Sequence, residues 1–142
     1  MSVNYRIFAA ASLETLLQCV RDAGYPCDPD SGSQHGGLVL YVGWTEDDEL
    51  DVPSAVGVRA RTAIDVQVLR AGTWEDVIAL FLGLAGYVMG DLVLSYQSET
   101  PVAVRHAGRW MLARRMVEEG ALDVETVARL GSRVELMDFP QI

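Results

Sequence analysis

The chain has 142 residues, 50% of them hydrophobic and 22% charged, with a formal net charge of −9 at pH 7. That balance belongs to a folded domain and excludes a disordered chain, and the length fits one domain whose core needs no disulfide or metal staple. Twenty acidic side chains stand against eleven basic ones, all Arg, so no nucleic-acid binding is expected, because phosphates call for a basic face, and a Schiff-base or phosphate-loop lysine is excluded.

In chain order, Val3, Tyr5, Ile7 and Ala9 alternate with Asn4, Arg6 and Phe8, which predicts a strand with one buried face. Ser12 then precedes Leu13, Leu16, Leu17 and Val20 at helical spacing, with Glu14 early, Arg21 late and Gly24 just beyond; this predicts a helix over 13–23. The following Pro- and Gly-rich stretch reads as a loop. Leu38 to Trp44, LVLYVGW, is apolar on both faces and predicts a strand in the middle of the sheet. From Val56 to Val68 small or apolar residues alternate with Arg59, Arg61, Asp65 and Gln67, which predicts one long strand bent near 61–63 or two strands joined by a turn there.

Thr73 can cap a second helix, with Glu75 and Asp76 at its positive end and Trp74, Val77, Ile78, Phe81, Leu84, Ala85 and Val88 as a wide apolar stripe. Because its other face is hardly polar, this helix is expected to be buried nearly all round or shared with a partner. Leu92, Leu94 and Tyr96 predict a strand, residues 98–101 a turn, Val102 and Val104 a returning strand, and Ala107–Gly108 another turn. Residues 109–117 suit a strand or a helix equally. A short helix from Asp123 to about Leu130 and a tail or edge strand over 133–139 complete the chain. The fold class expected is α+β, a single domain over 1–142 with a mainly antiparallel sheet packed against two principal helices.

Cys19 and Cys27 are expected as reduced thiols. The first residues lack a basic region followed by a continuous apolar core, so no secretory signal is read. The longest run of apolar residues and Gly, 77–90, is too short to span hydrocarbon. A soluble, cytoplasmic protein without a membrane partner is expected.

The search for chemistry is nearly empty. Only His35 and His106 could act as imidazole bases, and a Cys27/His35 pair would lack a third, orienting residue. Two Cys and two distant His match no zinc pattern. The carboxylates Glu46, Asp47, Asp48, Glu49 and Asp51 lack the calcium-loop spacing with its glycine and distal glutamate. Ser31 to Gly37 lacks the lysine and the strand-to-helix setting of a phosphate loop. No enzyme, no metal and no cofactor is therefore expected.

Charge geography remains. Residues 1–58 hold nine acidic and two basic side chains, and residues 59–142 hold eleven and nine, so the excess of −9 lies mostly in the first part. Residues 100–117 carry Arg105, Arg109, Arg114 and Arg115 with no acidic side chain among them, so the chain could carry opposite poles. A run of carboxylates flanked by Trp44 suits contact with a basic partner, where complementary fields speed association and select the partner.

The order of these features resembles the Sit-type immunity proteins of bacterial kin-discrimination, polymorphic toxin systems. The resemblance is carried by Val-Asn-Tyr-Arg-Ile at 3–7, a short helix, Val-Gly-Val-Arg-Ala-Arg at 56–61, the stretch 64–70, the Trp-led apolar helix, and Gly-Asp-Leu-Val-Leu at 90–94 leading into Val-Ala-Val-Arg at 102–105. It covers roughly residues 3–114 and rests on structural motifs. It implies a small cytoplasmic protein that neutralises a cognate toxin by binding, without catalytic residues. The expected contact is an acidic surface made of Trp44, Glu46, Asp47, Asp48, Glu49 and Asp51. The alternative is a ligand-binding or regulatory domain that forms a homodimer through the helix at 74–89.

Overall fold

A computed structural model describes residues 3–25, 33–35, 37–45, 51–97, 100–118, 125 and 134–139. In chain order they form β1 (Val3–Ala9), α1 (Leu13–Asp22), β2 (Ser33–His35), β3 (Leu38–Trp44), α2 (Asp51–Ala55), β4 (Thr62–Val68), α3 (Trp74–Tyr87), β5 (Leu92–Tyr96), β6 (Thr100–His106), β7 (Arg109–Ala113), α4 (Arg114–Glu118) and β8 (Val134–Met137). The strands make one sheet in the order β2-β3-β4-β1-β5-β6-β7-β8, antiparallel throughout except for the β7/β8 pair. The expected α+β architecture holds, with α1 and α3 as the principal helices.

Helix α1 starts where Ser12 accepts a bond from the Thr15 amide, and it stops at Ala23 before Gly24, whose φ of 99° is open to glycine at little steric expense. Helix α3 opens on a capping box in which Thr73 and Asp76 each accept the other's backbone N–H. Both helices lie on the sheet face that carries Ile7, Ile64, Val66, Leu92 and Leu94. There Leu16, Val20, Val77, Phe81 and Leu84 close the main core together with Trp110 and Leu112. The smaller second core lies on the opposite face, where Phe8, Ala63, Val93 and Val104 are covered by Val52 of α2 and by Val58.

Four expectations are corrected. The stretch 56–68 is neither a bent strand nor two strands: only Thr62–Val68 is β-structure, and Val58 is buried because the chain after α2 folds back over the second core. Burial of every second residue by a coil segment imitates strand alternation. Strand β3 is second from the edge, where Tyr41 and Trp44 are exposed. Its apolar residues read as central because Leu38 and Leu40 serve the core while the aromatic ones do not. The loop before β3 contains β2, a short edge strand bonded to Leu38–Leu40. Helix α3 is not buried nearly all round, since Ala79, Gly83, Gly86 and Tyr87 are exposed; the other expectation, that it is shared with a partner, is untouched by this.

The ambiguous stretch 109–117 is strand to Ala113 and helix from Arg114. The tail contributes an edge strand, as expected, while the helix expected at 123–130 lies outside the described residues apart from Glu125. Two glycines are required by a close approach. The Leu69 amide donates to the Gly37 carbonyl at 2.8 Å, and a Cβ on Gly37 would stand 2.0 Å from the Gly72 Cα.

Candidate functional site

The sheet registers divide its second face into rows. Ala63, Phe8, Val93 and Val104 form an apolar row under α2 and its following segment. The next row reads Tyr41, Asp65, Arg6, Ser95, and beyond it lie Gln67 and Asn4, directly paired, with Gln97 donating its backbone N–H to the Asn4 carbonyl at 2.9 Å. Alternation along each strand puts the side chains of these strand residues on the same face as Phe8, while Gln97 follows β5 in a left-handed turn with φ 52°. In the last two rows Ser95 and Arg6 are covered, while Tyr41, Asp65 and Gln97 are exposed. These rows border a hollow of about 500 Å³ lined by the side chains of Asn4, Tyr41, Asp65, Gln67 and Gln97 over the backbone of β1 and β4.

Charge within this hollow is asymmetric. Arg6 Nε reaches an Asp65 carboxylate oxygen at 3.1 Å, but the arginine side chain is only 16% exposed and the aspartate 57%. The Arg6 guanidinium is drawn inward over the Phe8 ring, 5.1 Å from its centroid. The pair therefore presents its carboxylate end to solvent.

The expected acidic contact is only partly within view. Glu46, Asp47, Asp48 and Glu49 lie outside the described residues, and Asp51 is the first residue of α2. Trp44 ends β3 and is 55% exposed, with the Arg61 guanidinium 5.7 Å from its ring centroid. Tyr41, 45% exposed, sits three residues earlier and hence on the other face of the strand. The acidic run thus leaves a strand that shows an aromatic ring on each face.

The expected basic stretch is distributed among internal partners. Arg105 donates to the carbonyls of Ala85 at 2.6 Å, Val88 at 2.5 Å and Gly90 at 2.6 Å, closing the C-terminal end of α3. Burial pulls its pKa down, against the opposing pull of the Asp91 carboxylate. Arg109 pairs with Glu135, and Arg114 lies 3.5 Å from Asp138. Each acid follows its arginine by more than twenty residues, so no local reading of the sequence pairs them. His106 Nδ1 lies 2.7 Å from Asp91, whose other oxygen accepts the Ala107 amide at 3.0 Å; the histidine is held in a structural turn.

The Cys27/His35 pair cannot be placed, since Cys27 lies outside the described residues and only the backbone of His35 within β2 is described. Cys19 is free and buried, and burial, aided by Asp22, raises its pKa and so disfavours the reactive thiolate. Among the described residues no group of three or more His, Cys, Asp or Glu is arranged to hold a metal, and no helix is long and apolar enough to cross a membrane.

Fold and site together define a mainly antiparallel α+β protein with its two principal helices on one face of the sheet and, on the other, a half-open polar hollow beside the smaller core. Compared with protein-family models, curated proteins and solved structures, the chain matches none.

Proposed function

We propose that this chain is a cytoplasmic binding protein of the immunity kind, which neutralises a cognate toxin by occluding it and performs no reaction of its own. The observation that carries this reading is the internal engagement of the basic stretch in a chain whose sequence carries a net excess of acid. Arg105, Arg109 and Arg114 of the basic stretch are turned to carbonyls and carboxylates of the chain itself. Residues 1–58 carry nine acidic against two basic side chains, so most of the excess negative charge lies in that part of the sequence. An acidic run entered through an exposed Trp44 has the composition of an interface with a basic partner: an aromatic anchor beside charges that steer encounter.

The test is co-expression with the toxin product of the neighbouring gene. Wild type should protect, and a variant with Glu46, Asp47, Asp48, Glu49 and Asp51 changed to Gln or Asn should protect less, with association losing much of its dependence on ionic strength. Undiminished protection by the variant removes the acidic run from the mechanism.

One observation favours the homodimer as a second reading: Met89 is 97% exposed and Tyr87 is also exposed at the end of α3, on the helix that presents Ala79, Gly83 and Gly86 outward. A solution mass of one chain at micromolar concentration would remove it.

A further inference from the structure

We infer that the hollow on the open half of the sheet is a receptor for a cationic side chain, an arginine or lysine carried by the protein partner. The identity of that partner as a toxin rests on the reading above; the chemistry of the hollow does not. Three features converge on a cation. Among the described residues the one charged side chain lining the hollow is Asp65, and it stands 57% exposed while its counter-ion Arg6 is drawn under it towards Phe8. Tyr41, 45% exposed on the neighbouring strand, lines the hollow with an aromatic ring, a group on which a guanidinium can stack. The amides of Asn4, Gln67 and Gln97 supply carbonyl oxygens that can accept the remaining N–H groups of a guanidinium, which has five donors and no acceptor.

An anionic guest would meet Asp65 first and reach Arg6 only after displacing it. A neutral apolar guest would have to strip water from three amides without replacing their hydrogen bonds, which is unfavourable. The hollow, about 500 Å³, admits a side chain with a short stretch of backbone and lies in a region that no described helix covers. Its walls come from β1, β3 and β4 and from the end of β5, whose relative positions are fixed by continuous pairing, so the receptor is preorganised.

The experiment uses N-acetyl-L-argininamide as probe, with the neutral N-acetyl-L-citrullinamide and the acidic N-acetyl-L-glutamic acid amide as comparisons, and follows the side-chain NH2 resonances of Asn4, Gln67 and Gln97 by NMR. The arginine probe should shift these resonances saturably, with a Kd on the order of 1 mM as befits a ligand of this size. The citrulline probe should bind at least about tenfold more weakly, since it lacks the charge. Gln67→Arg puts a tethered cation into the hollow and should abolish the shifts at Asn4 and Gln97, while Gln67→Ala, with an unchanged melting temperature, should retain them. Equal response to the arginine and citrulline probes, preference for the acidic probe, or no saturable shift at about tenfold above that Kd overturns the inference.

In the co-expression assay, wild-type protection lost in Gln67→Arg but kept in Gln67→Ala ties the hollow to toxin binding. Protection kept in both overturns the role of the hollow and leaves the immunity reading standing. Failure of wild type to protect overturns the immunity reading, while the titration still decides the chemistry of the hollow.

Discussion

Arg105 and Trp110 face each other across β6 and β7, the guanidinium 5.6 Å from the centroid of the indole ring. The arginine reaches from there to the carbonyls that end α3, and the indole packs edge-on against Phe81 of the same helix at 5.9 Å. One cross-strand pair thus fastens the principal helix to the sheet at two points. Arg105→Met should remove four charge-assisted bonds to three carbonyls and lower the free energy of unfolding by roughly 3 kcal/mol. Arg105→Lys should recover less than half, because one ammonium cannot span all three carbonyls. Urea denaturation of both variants measures the difference.

Phe81 is fully buried against Trp110. Phe81→Ala should lower stability by about 3–5 kcal/mol, and Phe81→Leu by much less, because the larger cavity loses more contacts. A change at the exposed Arg109–Glu135 pair should behave differently: Glu135→Gln should alter stability by less than about 1 kcal/mol, since solvent screens that pair.

The glycines separate into two classes with opposite expected signs. Gly37→Ala or Gly72→Ala forces a Cβ into the backbone of the other and should cost at least about 2 kcal/mol. Gly83→Ala, with nothing within 4 Å of the added methyl in the middle of α3, should stabilise by about 0.5–1 kcal/mol through helix propensity. Thermal melts of the three variants decide the signs.

Tyr5 packs on Trp74 at 4.8 Å and on Tyr96 at 5.3 Å, and burial, with a smaller push from Tyr96, raises its pKa to about 12 from an ordinary value near 10. The folded state holds the phenolic proton more tightly than the unfolded chain, so this contribution to stability is complete below pH 10 and is lost as pH rises towards 12. Tyr25 and Cys19 are shifted in the same direction. Tyr5→Phe should leave stability near pH 8 almost unchanged and should reduce the loss between pH 8 and 11.5, measured by urea unfolding at both values.

Much of the frame is legible in the sequence wherever its cause is local. Ser12 and Thr73 mark helix starts with their own side chains, β1 alternates because Tyr5, Ile7 and Ala9 face the main core while Asn4 and Arg6 lie on the other side, and Ala107–Gly108 turns with φ of 50° and 77°. The misreadings arise where distant chain segments decide. Val58 is buried by strands that lie on both sides of it in sequence, and the exposure of Tyr41 and Trp44 follows from which strand sits beside β3. The hollow was invisible for the same reason. Asn4, Gln67 and Gln97 are ordinary polar strand residues until the pairing of β4, β1 and β5 sets them side by side.

Strand β1 is synthesised first, yet it is hydrogen-bonded on both sides to segments made much later, residues 62–68 and 92–96. Until the ribosome has released β5, one edge of this strand has no native neighbour, and pairing β1 means closing separations of 53 to 65 residues to β4 and 83 to 91 residues to β5. Folding should accordingly be slow for a chain of this length, and nascent chains truncated before residue 96 should be aggregation-prone.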